Sequence, residues 1–181
     1  MTPSSILAAF ETQAERVGAT VRRTTPSSVV DASLSIVRDA GCRTVALARA
    51  LPDRARFLRA LEAAGLSEVS VATLWPVRRA DAGISRASMG VAETGSLLLH
   101  STSEDRRVEL CVDVHLVVVD AAALVPSLDT AFAALKEIAS RPPAYASLVS
   151  GPSRSADIER QITIGVHGPR ALHVLVVEAA P

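Results

Sequence analysis

The sequence predicts an α/β fold, a three-layer α/β/α sandwich around a mostly parallel β-sheet. Helical and strand-like periodicities alternate along the chain, as right-handed crossovers between parallel strands require. Hydrophobic residues make up 49% of the composition, yet aromatics only 3%. A core of Ala, Val and Leu suits helices laid on a sheet buried on both faces. At 181 residues the chain is long enough for one domain over 1–181 with a core of its own. It shows no internal repeat, low-complexity tract or linker.

The elements follow in order. Residues 4–17 carry Ile6, Leu7, Phe10, Ala14 and Val17 at helical spacing, with Gly18 as a stop. Val21 marks a short strand. Pro26 opens a second helix to about Ala40, ended by Gly41, and residues 44–48 (TVALA) form a compact strand. Pro52 and Asp53 start a third helix, with Phe57, Leu58 and Leu61 on one side and Gly65 after it. Residues 69–74 read as a strand, 83–91 (GISRASMGV) as a short helix or an irregular turn, and 97–100 as a short strand. Residues 104–107 (EDRR) read as a solvated loop, and Trp75 before Pro76 as packing. Residues 114–119 (VHLVVV) are the strongest strand in the chain, apolar enough to be buried on both faces. Pro126 opens a helix through Ala139 that Pro142 and Pro143 terminate. Residues 145–149 and 172–177 complete the strands.

Composition excludes several function classes. The formal net charge is zero, with 18 Arg and one Lys balancing the acids. Nucleic acid is disfavoured as a partner, because its binders present a net basic face. Cys42 and Cys111 lie far apart and form no CxxC pair, so they cannot assemble a zinc site or a cysteine-ligated iron–sulfur cluster. Reduced thiols fit a cytoplasmic compartment. The apolar patch at 6–10 follows no basic residues, and no apolar run reaches the roughly 20 residues that span a bilayer. The expectation is a soluble cytoplasmic protein with no membrane partner. There is no GxGxxG after the first strand, no GxxxxGK[ST], no HExxH and no GxSxG.

Chemistry concentrates in three segments. Residues 150–159 read SGPSRSADIE and 165–169 read GVHGP. Stiff Gly-Pro corners there enclose a serine-arginine-serine run, two acids and a histidine beside an apolar strand. Ser153, Arg154 and Ser155 precede Asp157 in what looks like the first turn of a helix. Its unpaired N–H groups, with a hydroxyl and a guanidinium, would hold a carboxylate or phosphate. Alternatively a serine merely caps the helix while Arg154 pairs with Asp157 or Glu159 at the surface. His167 sits where the backbone can approach a ligand and could move a proton near neutral pH, or could fix a turn. In AETGS (92–96), Glu93 could act as a base while Thr94 and Ser96 donate hydrogen bonds; the alternative is that Thr94-Gly95 only turns the chain into the next strand. The candidate site is therefore Glu93 and His167 as proton carriers, with Thr94, Ser96, Ser153, Arg154, Ser155 and Asp157 as binding groups. His100, His115 and His173 lack metal-ligand spacing and read as structural or surface residues, and no metal is expected.

With AETGS, SGPSRSADIE and GVHGP in this order before a terminal apolar strand, the chain resembles the LUD-domain family, and within it the lactate-utilisation protein C branch. The similarity is most specific over 84–177. Ser96 and Ser155 stand where the usual pattern has threonine, each keeping a hydroxyl, and GVHGP is unchanged. An LP-x-x-H pattern ahead of the central strand appears as LCVDVH at 110–115. The resemblance implies a fold like the NagB/RpiA/CoA-transferase group. It further implies a role in oxidising L-lactate to pyruvate beside partner proteins that carry iron–sulfur clusters. This chain would bind no cofactor itself and would hold a small anionic ligand or organise the assembly. The alternative is a stand-alone enzyme of the same fold group acting on a phosphorylated sugar, CoA or folate. A pure scaffold is a third reading.

Overall fold

The computed structural model describes residues 2–73, 79–138, 145–155, 163–164 and 168–179. Helix α1 (Pro3–Arg16) starts with proline in its first turn, and the Thr2 hydroxyl accepts the Ser5 amide. Leu7, Phe10 and Ala14, three and four apart, form its buried stripe. After it come β1 (Thr20–Thr24), α2 (Val29–Asp39), β2 (Thr44–Leu47), α3 (Arg54–Ala63) and β3 (Ser67–Glu68). The middle contains β4 (Ala80–Arg86), β5 (Met89–Val91), β6 (Ser96–Ser101), α4 (Asp105–Leu110) and β7 (Val112–Asp120). The chain continues through β8 (Leu124–Val125), α5 (Leu128–Ile138), β9 (Tyr145–Val149), β10 (Arg154–Ser155), β11 (Thr163–Ile164) and β12 (Ala171–Val177).

Six strands form the main sheet in the order β1-β12-β7-β4-β2-β3, every pair parallel. Successive side chains of a strand point to opposite faces, and β7 uses both. Val114, Leu116 and Val118 pack with Val37 of α2 and Phe57 and Leu61 of α3. Val117 and Val119 pack with Phe10 and Ala14 of α1 and with Leu97 and Leu99 of β6. The expected α/β/α layering is present with one addition. The layer holding α1 also contains a second sheet, in the order β8-β5-β6-β9, in which β6 runs antiparallel to both β5 and β9. None of the helices among the described residues is long and apolar enough to cross a membrane.

Three local expectations are corrected. Residues 83–91 are β4 and β5, not a helix or irregular turn. Gly83 is needed inside a strand because a Cβ there would lie 2.6 Å from the Val108 carbonyl oxygen, so α4 rests directly on the sheet. Residues 104–107 are no solvated loop, since α4 starts within them. Asp105 is buried and its carboxylate accepts the amides of Arg49 at 2.8 Å and Ala50 at 3.3 Å. This ties α4 to the loop after β2. Of the strand expected at 69–74, the described residues 69–73 hold none: β3 ends at Glu68 and a single 3-10 turn covers Val71–Thr73. Trp75, Pro76 and the helix turn expected at 156–159 lie outside the described residues.

Candidate functional site

The sequence motifs meet at the carboxyl end of α1. In AETGS, Gly95 has φ 65°, and a Cβ there would collide with the backbone of Gln13 and Ala14. In SGPSR, Gly151 has φ 73°, and a Cβ would strike the Val17 carbonyl oxygen. Only glycine meets both demands, a left-handed backbone and direct contact with another main chain. A chain of hydroxyls joins the two turns: Thr94 Oγ1 lies 2.7 Å from Ser96 Oγ, which lies 2.6 Å from Ser150 Oγ. The third motif joins through the Ser153 amide, which donates to the Pro169 carbonyl at 2.8 Å.

Within this junction the individual side chains separate. The Glu93 carboxylate accepts the Leu128 amide at 3.0 Å, at the start of α5. The Arg154 guanidinium donates to the Val17 carbonyl at 2.6 Å, serving the unpaired carboxyl end of α1. Arg154 and Ser155 are extended and pair antiparallel with Thr163 and Ile164. Thr94 and Ser96 spend their hydroxyls on each other and on Ser150. Asp157 and His167 lie outside the described residues. Of the predicted residues that are described, Ser153 alone lines the cavity described next; Glu93 and Arg154 do not.

That cavity, about 290 Å³ and open on one side, lies where β7 and β12 begin. His115 and Leu172, paired in register, form part of its wall. Arg106, Glu109 and Leu110 of α4 and Ser147, Leu148 and Val149 of β9 form the rest, closed by Gly151, Ser153, Gly168 and Pro169. A Cβ on Gly168 would lie 3.1 Å from that of Ser153, so the two motif corners abut at the cavity. Arg106 sits over the Tyr145 ring, 5.0 Å from its centroid, a cation–π contact that restrains the guanidinium.

Two titratable residues in this wall are largely buried. Glu109 is 6% exposed, and its carboxyl makes no ion pair among the described residues. Burial, the largest influence, raises its pKa; nearby Ser101 and Arg106 pull it down and Asp105 adds to the rise. The Ser101 hydroxyl, itself buried, stops short of hydrogen-bond geometry. His115 is 1% exposed, and burial lowers its pKa to about 4. Its imidazole is thus neutral at physiological pH, and Nε2 is committed to Ser85 Oγ at 2.8 Å. A largely buried carboxyl with a raised pKa in a cavity is a signature of function. A guanidinium, two serines, a carboxyl that can carry a proton and a neutral imidazole can together hold a carboxylate and exchange a proton with it.

The sequence patterns place Arg106 in a solvated stretch, give His115 a structural or surface role and assign none to Glu109. The available signal was helical spacing: Asp105, Val108 and Glu109 share one face of α4, and all three are buried. His115 was visible as the histidine ending LCVDVH.

A second crevice of about 230 Å³ lies outside the carboxyl ends of the parallel strands. Arg86 of β4, Asp120 of β7 and Val177 of β12 line it with Asp53, at the start of α3. Arg86 and Asp120 form an ion pair across it. Among the described residues, no cluster of three His, Cys, Asp or Glu side chains could hold a metal ion.

Known proteins resemble this arrangement. A model of the LUD domain matches residues 7–177. Lactate utilization protein C 1 of Bacillus mycoides is 35% identical over 104 residues, 55% of this chain and 44% of that protein. Lactate utilization protein C of Macrococcus caseolyticus is 32% identical over 121 residues, 65% of this chain and 50% of that protein. An uncharacterized protein of Neisseria meningitidis is 37% identical over 98 residues, 54% of this chain and 42% of that protein. The match thus spans about half the length of these relatives or less. The crystal structure of a DUF162 family protein from Deinococcus radiodurans has a TM-score of 0.71 at 21% identity, covering 98% of this chain and 99% of that one. At that identity the likeness speaks for the fold, while the domain match speaks for descent: the chain belongs to the LUD-domain family.

Proposed function

We propose that the chain is a lactate-utilisation protein C-like component of a system oxidising L-lactate to pyruvate, a non-redox subunit that holds a small carboxylate. Relatives named for lactate utilisation support the assignment to such a system. The observation that carries the ligand class is the cavity between α4, β9 and the two motif corners, where Arg106 accompanies buried Glu109 and His115. Arg106, rather than Arg154, is the guanidinium available to a ligand carboxylate, since Arg154 is engaged by Val17. Electrons would pass through iron–sulfur partner proteins in the cytoplasm, because two separate cysteines cannot support a cluster here.

The second crevice favours one other reading. Open α/β sheets bind ligands outside the carboxyl ends of their strands, which fits a stand-alone enzyme of the NagB/RpiA/CoA-transferase-like group acting on a phosphorylated sugar, CoA or folate. A thermal-shift comparison separates the readings. Ligand at about 100 times its dissociation constant adds about 2.7 kcal/mol of stability. Stabilisation by lactate or pyruvate that Arg106→Gln removes supports the first reading. Stabilisation by sugar phosphates, CoA or folate that Arg86→Gln removes supports the second. Stabilisation by none of them contradicts both and leaves a scaffold.

A further inference from the structure

The cavity is larger than lactate needs. An apolar cavity of about 150 Å³ encloses benzene, with six heavy atoms; lactate also has six. At about 290 Å³ this cavity has roughly twice that room. The surplus is bordered by Leu148, Val149, Pro169 and Leu172, groups that gain little from a methyl tail. Leu110 and Leu148 remain 46% and 39% exposed at its edge, apolar surface that a longer tail would cover.

The hydrogen-bonding groups of the wall are unequally committed. His115 Nε2 is held by Ser85, and the Ser153 amide by Pro169. Glu109, 6% exposed as a residue, lines the cavity, and its carboxyl forms no ion pair among the described residues. A carboxyl accepts a hydrogen bond from a hydroxyl when ionised and donates one to a ketone when protonated. One side chain can therefore meet the C2 oxygen of both a 2-hydroxy acid and its 2-oxo product.

Resting on the reading of this cavity as a carboxylate site, we infer that it selects 2-hydroxy and 2-oxo acids with a branched or aromatic tail larger than methyl. Arg106 takes the ligand carboxylate, Glu109 meets the C2 oxygen, and the tail lies along Leu148, Val149, Pro169 and Leu172.

Isothermal titration of the chain with L-lactate, L-2-hydroxy-4-methylpentanoate and 4-methylpentanoate tests this. The branched hydroxy acid should bind about tenfold more tightly than lactate, or better. 4-Methylpentanoate, which lacks the C2 oxygen, should bind about tenfold more weakly than its hydroxy counterpart. In Glu109→Leu that second gap should shrink to about twofold, since the group that reads the oxygen is gone. If the variant does not fold, the three acids on the unaltered chain still decide. Lactate binding as tightly as the branched hydroxy acid, or no loss on removing the C2 oxygen, overturns the inference and leaves the carboxylate reading standing. Failure of all three acids to bind overturns the carboxylate reading itself.

Discussion

On one face of the main sheet, Val45, Leu47, Ile84, Leu116 and Val118 meet Phe57 and Leu61 in an aliphatic layer under α2 and α3. On the other face, the same strands β4 and β7 present Gly83, Ser85 and His115, and α4 lies directly on them. Alternate residues of one strand thus build a filler on one side and a cavity wall on the other. The second face is built differently: beside α1, a mixed sheet, the short helix α4 and two glycine-proline corners meet there, where the first face has α2 and α3. The cavity with Arg106, Glu109 and His115 lies on that side, and the carboxylate proposal rests on it.

The largest expected effect lies on the helical face. Phe57→Ala should cost about 3–5 kcal/mol, read by urea unfolding, because this side chain is 2% exposed beneath α3. Carboxylate binding by the folded fraction should be unaffected; a large loss of affinity would mean that the two faces are not independent.

On the cavity face the strongest effect is one of pH. The His115 pKa falls from 6.5 unfolded to about 4 folded, so above pH 6.5 both states are neutral and nothing is lost. As pH drops from 6.5 toward 4, the unfolded chain takes a proton that the folded one refuses. Stability then falls by up to about 1.4 kcal/mol per pH unit, about 3 kcal/mol in all. His115→Gln should flatten that slope in thermal melts. Glu109 acts with the opposite sign. Its folded pKa is raised, so stability declines as pH rises above the ordinary 4.5 of an unfolded glutamate, and Glu109→Gln should remove that decline. An unchanged pH profile in both variants would show the two groups to be solvated.

The smallest effect concerns the motif junction. Arg154→Ala removes one hydrogen bond to the end of α1 and should lower stability by about 1 kcal/mol. Carboxylate affinity should be retained. Loss of binding with unchanged stability would return Arg154 to the ligand site.

These outcomes bear on how much the sequence discloses. The VHLVVV run announced β7, because a strand buried on both faces needs no alternation. The three motifs could be read as a converging unit; Gly95 and Gly151 of two of them meet the end of α1, and Gly168 of the third abuts Ser153. The roles of Glu93 and Arg154 were not legible: each looks like a ligand group until the helix end it serves is folded beside it. Asp105 and Glu109 were hidden for a related reason. A charge-rich stretch reads as solvent-facing, and burial arises only when Gly83, 22 residues before Asp105, lets α4 down onto the sheet.

A nitrogen-15 NMR titration with pyruvate locates the ligand most directly. Binding in the cavity beside β9 should shift the amides of Gly151, Ser153 and Gly168 and leave those of Val29, Asp53 and Arg86 in place. Shifts confined to the second group would put the ligand at the carboxyl ends of the strands and contradict the assignment of the carboxylate site.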